Sequence, residues 1–292
     1  MQSSPAQAGF VSDAIARGLE RLQEEAGAAL RAQGAERVHD LRVAVRRFTQ
    51  ALAAFRDVLP RAETKQIRRE LKTLMDAAGE VRDFDIALKI LSKCPLDGVA
   101  VLRAKLSAER SKSARALGDA LRRWKSGGGA SCWAEQLMPA TPPAGIPGNI
   151  EKKMRKFLEH GEAAAETKAS ARQLHRLRIE GKKLRYTIEL LAPAMPASAG
   201  EWLEKLKAVQ TALGDAQDAR MTRDQAKRFG AAPEIADWLK KRQRKRARQF
   251  REVWAETFPA KQHPRLLAAS EPVSPRPMAR STAGPVPVPR TA

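Results

Sequence analysis

Two cysteines, Cys94 and Cys132, are all that 292 residues contain. That is too few for a disulfide framework or a thiolate metal site, so both are read as reduced thiols. Aromatic residues are equally scarce at 5%. Most fall where an apolar stripe needs them, which leaves few platforms for stacking nucleic-acid bases. No run of ~18 apolar residues occurs, so no membrane span is expected. The opening MQSSPAQAGF has neither a basic start nor an apolar run, so no signal peptide is expected and the cytoplasm is the expected location. Acids are also in deficit: 33 Asp and Glu face 54 Lys and Arg, a formal net charge of +21. A charge of that size repels itself and implies a polyanionic partner, whether nucleic acid, an anionic membrane or a phosphate polymer.

What is present is helical periodicity. Val11, Ile15, Leu19 and Leu22 form one stripe, and Leu102, Leu106, Leu117, Leu121 and Trp124 another. Val81, Phe84, Leu88 and Leu91, then Leu203, Leu206, Val209 and Leu213, repeat the spacing, and no segment sustains strand-like alternation. Pro60, Pro95, Pro193, Pro196 and Pro233 fall between the periodic runs, where proline stops or starts helices. The expectation is an all-α protein of about nine or ten helices. Its expected divisions are a flexible N-terminus over 1–9, a first half over 10–125, a Gly/Pro-rich linker over 126–149, a second half over 150–258, and a disordered Pro-rich tail over 259–292.

The halves share an internal repeat. Residues 39–55 read HDLRVAVRRFTQALAAF and residues 175–191 read HRLRIEGKKLRYTIELL. His39, Leu41, Arg42, Val43, Arg46 and Arg47 pair with His175, Leu177, Arg178, Ile179, Lys182 and Lys183 at one offset, 39 to 175. A second pair follows. Leu71, Lys72, Leu74, Gly79 and Asp83 match Leu206, Lys207, Val209, Gly214 and Asp218, an offset one residue shorter. At ~100° per residue, His39, Arg42 and Arg46 share one helical face, while Leu41, Val45, Phe48 and Leu52 share the other. His175, Arg178 and Lys182 repeat the arrangement, extended by Arg185 and Tyr186. Like charges at such spacing repel. Their recurrence with histidine in register points to one anion site built from two related halves.

Other features have plainer readings. Gly79 and Gly214 are expected as left-handed helix C-caps, and the acids after them (Glu80, Asp83, Asp215, Asp218) as complements to the positive end of a following helix. A lone histidine is most often structural. These two sit three residues before an arginine, however, so an N–H donated to an anion fits them, and a bound polyanion would raise their pKa. Neither motif supplies the second His or Cys a zinc site needs. Residues 240–251, KKRQRKRARQFR, carry eight cations and no acid. They read either as a solvated helix or nucleic-acid patch, or as a wall of the same anion site.

The motif H-x-L-R-[VI]-x-x-[KR]-[KR] at His39–Arg47 and His175–Lys183, with L-K-x-L at Leu71–Leu74 and G-x-x-x-D at Gly214–Asp218, resembles the CHAD family, the conserved-histidine α-helical domain. The resemblance covers roughly residues 10–258. It implies two pseudo-symmetric helical bundles around a basic central groove or pore, binding of inorganic polyphosphate, and association with polyphosphate granules in bacteria. Carried over residue by residue, it implies as ligands His39, Arg42, Arg46, Arg47 and Lys72, then His175, Arg178, Lys182, Lys183 and Lys207. Arg82 and Arg185 join them, although the repeat puts Gln217 and Thr49 at the matching positions. The triphosphate-processing β-barrel attached in many family members, with its E-x-E-x-K motif, has no counterpart in this sequence.

A binding protein for linear polyphosphate, with no cofactor and no chemistry of its own, is therefore the leading expectation. Nucleic-acid binding through the same basic surface is the alternative, supported by residues 240–251 and opposed by the few aromatics. A phosphohydrolase would need carboxylates converging on metal-bound phosphate, and no such motif occurs.

Overall fold

The computed structural model describes residues 5–137, 150–192, 195 and 199–268, and the side chains from Phe10 onward. Ten α-helices account for almost all of them: α1 (Pro5–Arg31), α2 (Ala35–Ala54), α3 (Arg61–Leu91), α4 (Val99–Ser126), α5 (Gly129–Gln136), α6 (Ile150–Ala165), α7 (Ala171–Leu191), α8 (Ala199–Arg228), α9 (Pro233–Thr257) and α10 (His263–Ala268). A 3-10 turn at Ala260–Gln262 leads into α10. The all-α expectation holds for the described residues.

Local chemistry sets the boundaries. Ser170 opens α7 with a reciprocal capping box: its hydroxyl accepts from the Gln173 N–H, and the Gln173 side chain accepts from the Ser170 N–H. Pro233 begins α9 at a position whose N–H would lack an intrahelical partner anyway. Gly230, with φ of 71°, follows the end of α8.

The predicted stripes form the core. Val11, Ile15, Leu19, Leu22, Leu41, Val45, Phe48, Leu52, Leu71, Leu117 and Leu121 belong to one apolar cluster drawn from α1 to α5. A second cluster, drawn from α6 to α10, holds Leu177, Leu184, Ile188, Leu206, Trp202, Trp254 and Phe258. Burying each such side chain contributes roughly 1.5–3 kcal/mol before chain entropy is counted. Gly161 shows how tight the second core is. A Cβ there would lie 1.7 Å from the Trp254 ring, so only glycine lets α6 and α9 approach. A third cluster joins the halves: Phe84, Leu91, Leu102 and Leu106 from α3 and α4 pack with Ala226, Ile235 and Leu239 from α8 and α9.

Several expected boundaries move. The N-terminal segment is helical from Pro5, so of residues 1–9 only the first four lie outside the described residues. The segment expected as a linker begins with α5, whose Trp133 is buried against Phe48, with ring centroids 6.3 Å apart. Residues 138–149, where the rest of the linker falls, lie outside the described residues. The expected tail begins later than residue 259. The 3-10 turn and α10 seat Leu266 in the second core, and the Leu266 carbonyl accepts from the Trp202 indole N–H at 3.2 Å. The Pro-rich stretch beyond Ala268, together with Pro193 and Pro196, lies outside the described residues.

The glycine caps are also corrected. Gly79 and Gly214 stand inside α3 and α8, uninterrupted helices of 31 and 30 residues, and neither has a positive φ. A glycine followed by acids resembles a stop and a restart. Here the apolar stripe runs on through both positions, and packing overrides the weak local preference.

Candidate functional site

Four helices bring the two copies of the motif together. α2 contacts α7, and α3 contacts α8, so each half contributes one basic helix and one long partner helix to a common space. Burying the apolar faces of α2 and α7 leaves the opposite faces no choice of direction. His39, Arg42 and Arg46 project from α2, and His175, Arg178, Lys182 and Arg185 from α7.

The cations act on one another across the halves. Arg42 of α2 is held down to about 10 by burial first, with Arg46, Arg82 and Arg178 adding repulsion against the pull of Asp83. Arg46 is likewise lowered, by burial first, with Arg178, Arg185 and Arg82 adding repulsion and Tyr186 opposing them. Lys182 shows the strongest perturbation. Burial, then Arg178, Arg46 and Arg42, bring it down to about 6, and Asp218 only partly offsets them. His39 and His175 are both held below the usual imidazole value. Partial burial leads in each case, followed by Arg82 and Arg46 for His39, and by Arg178 and Arg220 for His175. The free histidines are therefore neutral near pH 7.

The two aspartates assigned to helix capping belong to this cluster instead. Asp83 and Asp218 are half-buried in mid-helix, and each is raised by burial while an arginine of its own half lowers it, Arg42 for Asp83 and Arg178 for Asp218. Asp83 also feels Asp218. Arg178 approaches Asp218 to 4.0 Å, and Arg42 donates to the Met75 carbonyl at 3.2 Å. Gly79 lets Arg42 lie across α3, since a Cβ there would stand 2.8 Å from its Nη1. Two carboxylates do not balance Arg42, Arg46, Arg82, Arg178 and Lys182. The Nε atoms of Arg46, Arg178 and Arg220, and Nδ1 of His175, are buried and make no hydrogen bond to any described residue.

The remaining expected ligands are placed differently. Arg82 borders the cluster and donates to the Ala35 carbonyl at 3.4 Å. Arg47 is exposed and donates from Nε and Nη2 to Glu189 at 3.2 and 3.1 Å. Arg185 meets the same carboxylate at 3.4 Å. Beside them, the Gln50 amide donates to the buried Thr187 hydroxyl at 2.9 Å. This is a polar joint between α2 and α7, on the side of the cluster away from the Phe84–Leu239 apolar joint. Lys72, Lys183 and Lys207 are exposed, and Lys72 pairs with Asp76 one turn on. Arg220 and Gln217, both near His175, were missed in the sequence, because the first half has Asp85 and Arg82 at those positions of the repeat.

Among the described residues no group of three or more His, Cys, Asp or Glu could hold a metal ion, and no helix is long and apolar enough to cross a membrane. Chemically, the arrangement can hold a multiply charged anion through guanidinium and ammonium groups arriving from two sides.

Comparison with known proteins agrees with this architecture. The family model described as the CHAD domain matches residues 13–227. No curated protein matches the chain. Among solved structures, the crystal structure of the CHAD domain from the plant Ricinus communis aligns with a TM-score of 0.63 at 22% identity, covering 94% of this chain and 96% of that one. PptA from Streptomyces chartreusis aligns with a TM-score of 0.60 at 17% identity, covering 88% of this chain and 99% of that one. At these identities the two structures speak for the fold alone.

Proposed function

We propose, from the premise that this chain belongs to the CHAD domain family, that it binds inorganic polyphosphate between its two halves and does no chemistry on it. The observation that carries this reading is the excess of inward-facing cations. Arg42, Arg46 and Lys182 are lowered by burial and by cations reaching them across the α2–α7 and α3–α8 contacts, Arg178 among them, and Asp83 and Asp218 offset this in part for Arg42 and Lys182. Such a cluster is unfavourable alone and is relieved by a dense line of negative charge. The two halves then form related walls of a basic passage, a groove or pore, with the polar and apolar joints on either side.

Polyphosphate suits it better than nucleic acid. Its charges sit one per phosphate with no sugar between them, and it offers no bases. The ring of Tyr186 is 5% exposed and lies under Arg185, which leaves it no face for a base to stack on. The family is associated with polyphosphate, and a cytoplasmic role at polyphosphate granules follows.

The test is a binding titration at fixed salt with Arg46→Gln and Arg178→Gln combined, checked for helicity. Loss of most affinity for tripolyphosphate and for long-chain polyphosphate supports the site. Unchanged affinity for both, or displacement of polyphosphate by duplex DNA at equal phosphate, refutes it.

A further inference from the structure

The basic run of α9 divides cleanly by face. With Arg246 set at zero, Ile235, Leu239 and Phe250 fall within ~40° of it and are buried. Arg246 itself reaches Asp215 of α8 at 3.1 Å, and Asp215 in turn raises Asp218 in the central cluster. Arg242 falls ~40° from Arg246 and is half-buried beside Trp238, while the other six cations point the opposite way. Lys240, Lys241, Arg244, Lys245 and Arg248 are exposed, and Arg251 is half-exposed, on a face centred ~180° from Arg246. This run is therefore not a wall of the central site. It is a separate outer surface.

Two observations set that surface apart from an ordinary solvated helix. First, no acid occurs between Asp237 and Glu252, and none of these six residues forms an ion pair with a described acid. Second, α4 packs on α3 as α9 packs on α8, yet α4 places two acids among its outer cations and pairs two of the seven, leaving Arg103, Lys105, Arg115, Arg123 and Lys125 without an ion pair to a described acid. Lys112 meets Glu109 at 2.6 Å, and Arg122 meets Asp119 at 2.6 Å. A helix kept soluble by charge alone has no need to omit every acid over three turns, because mixed charges serve solubility and relieve repulsion.

We propose that the outer face of α9 is a second polyphosphate-binding surface, independent of the central cluster, which engages a further stretch of the same long polymer or another chain. The inference rests on polyphosphate being the ligand of the central site. Six cations over eleven residue steps give a positive charge every ~3 Å along the helix axis. That density matches a polymer whose phosphates share bridging oxygens. The face carries no aromatic: Trp238 is half-buried, with Arg242 lying 5.8 Å from its ring centre, and Phe250 and Trp254 are interior. A base-stacking partner finds nothing to stack on. Because the two surfaces lie on opposite sides of α9, one protein can hold two polymer segments, the property needed to lodge in a polyphosphate mass rather than merely to carry one chain.

The experiment combines Lys241→Gln, Arg244→Gln, Lys245→Gln and Arg248→Gln, all exposed positions away from the core. Affinity is measured for tripolyphosphate and for long-chain polyphosphate across a salt series. The expected result is unchanged tripolyphosphate binding and about thirtyfold weaker long-chain binding, from four exposed contacts each giving roughly two- to threefold. The salt slope for the long polymer falls by about 3. Unchanged long-chain affinity, an equal loss for both ligands, or duplex DNA outcompeting polyphosphate for this face overturns the inference. The central Arg46→Gln, Arg178→Gln protein separates the two readings. If it loses tripolyphosphate while the α9 variant binds long chains normally, only the outer surface fails. If it binds both ligands normally, the central site fails.

Discussion

Lys182 should take up a proton when polyphosphate binds. It is half-buried on α7, faced by Arg42 and Arg46 of α2 and by Arg178 on its own helix, with Asp218 of α8 as counter-charge, and it falls from an ordinary 10.5 to about 6. At pH 7.5 only ~3% of the free protein then carries the ammonium form. Bound phosphates reverse the local field and restore the charge, so the bound pKa exceeds the free one. The sign follows. Binding is strongest below pH 6 and weakens as pH rises through the bound-state value, by up to about tenfold per pH unit. Long-chain polyphosphate is the proper ligand, because its internal phosphates do not titrate in this range. Calorimetry at pH 7.5 in buffers of differing ionisation enthalpy counts the protons: about one for the native protein, and near zero for Lys182→Arg, which is charged throughout. The histidines are also held low and add uptake mainly at more acidic pH. Stability of the free protein should move the other way. The unfolded chain keeps that proton up to about 10.5, so ligand-free stability rises with pH between 6 and 10. A buffer-independent enthalpy, or the same uptake in Lys182→Arg, would refute the reasoning.

Two further outcomes test the inner cluster. Gly79→Ala should push Arg42 off α3 and weaken polyphosphate binding about five- to tenfold, while helix propensity leaves the melting temperature equal or higher. Gly214→Ala, whose Cβ meets nothing within 4 Å, should gain the same helix stability and bind normally, and titrations beside thermal melts separate the two. Asp83→Asn with Asp218→Asn should tighten polyphosphate binding about tenfold by removing the two carboxylates that oppose it within the cluster. It should also lower the melting temperature, because Arg42 and Arg178 lose their counter-charges. Weaker binding would show that the acids arrange the arginines more than they repel the ligand.

The charged stripes were legible because helical phase is arithmetic. Once Leu41, Phe48 and Leu52 are buried, Arg42 and Arg46 have one direction left, and the same holds for Leu184 and Ile188 against Lys182. The convergence of the halves followed from the repeat. What escaped was anything decided by partners distant in the chain. Gly79 and Gly214 resemble stops by local preference, and only the packed helices reveal that α3 and α8 run through them. The aspartates then passed for caps, because nothing in Asp83 or Asp218 announces an arginine opposite. Arg47 and Arg185 share the ligand pattern, but their common engagement with Glu189 is a tertiary fact. The division of α9 into an inner Arg246 and an outer row of cations was accessible from phase, but not which face would meet α8.

The two clasps between the halves differ in kind. Phe84, Leu102, Ile235 and Leu239 close one side with hydrocarbon, which salt and polyanions leave alone. Gln50, Thr187 and the Arg47–Glu189 pair close the other with contacts that a polyanion can contest. Mutual repulsion among the cations between them bears on both, and the polar seam is the one expected to yield first. If the chain binds polyphosphate as proposed, a long polymer would then not have to find its own end and thread. It would slip in sideways where α2 meets α7, and once seated would replace the repulsion with attraction, so that the guest finishes the building.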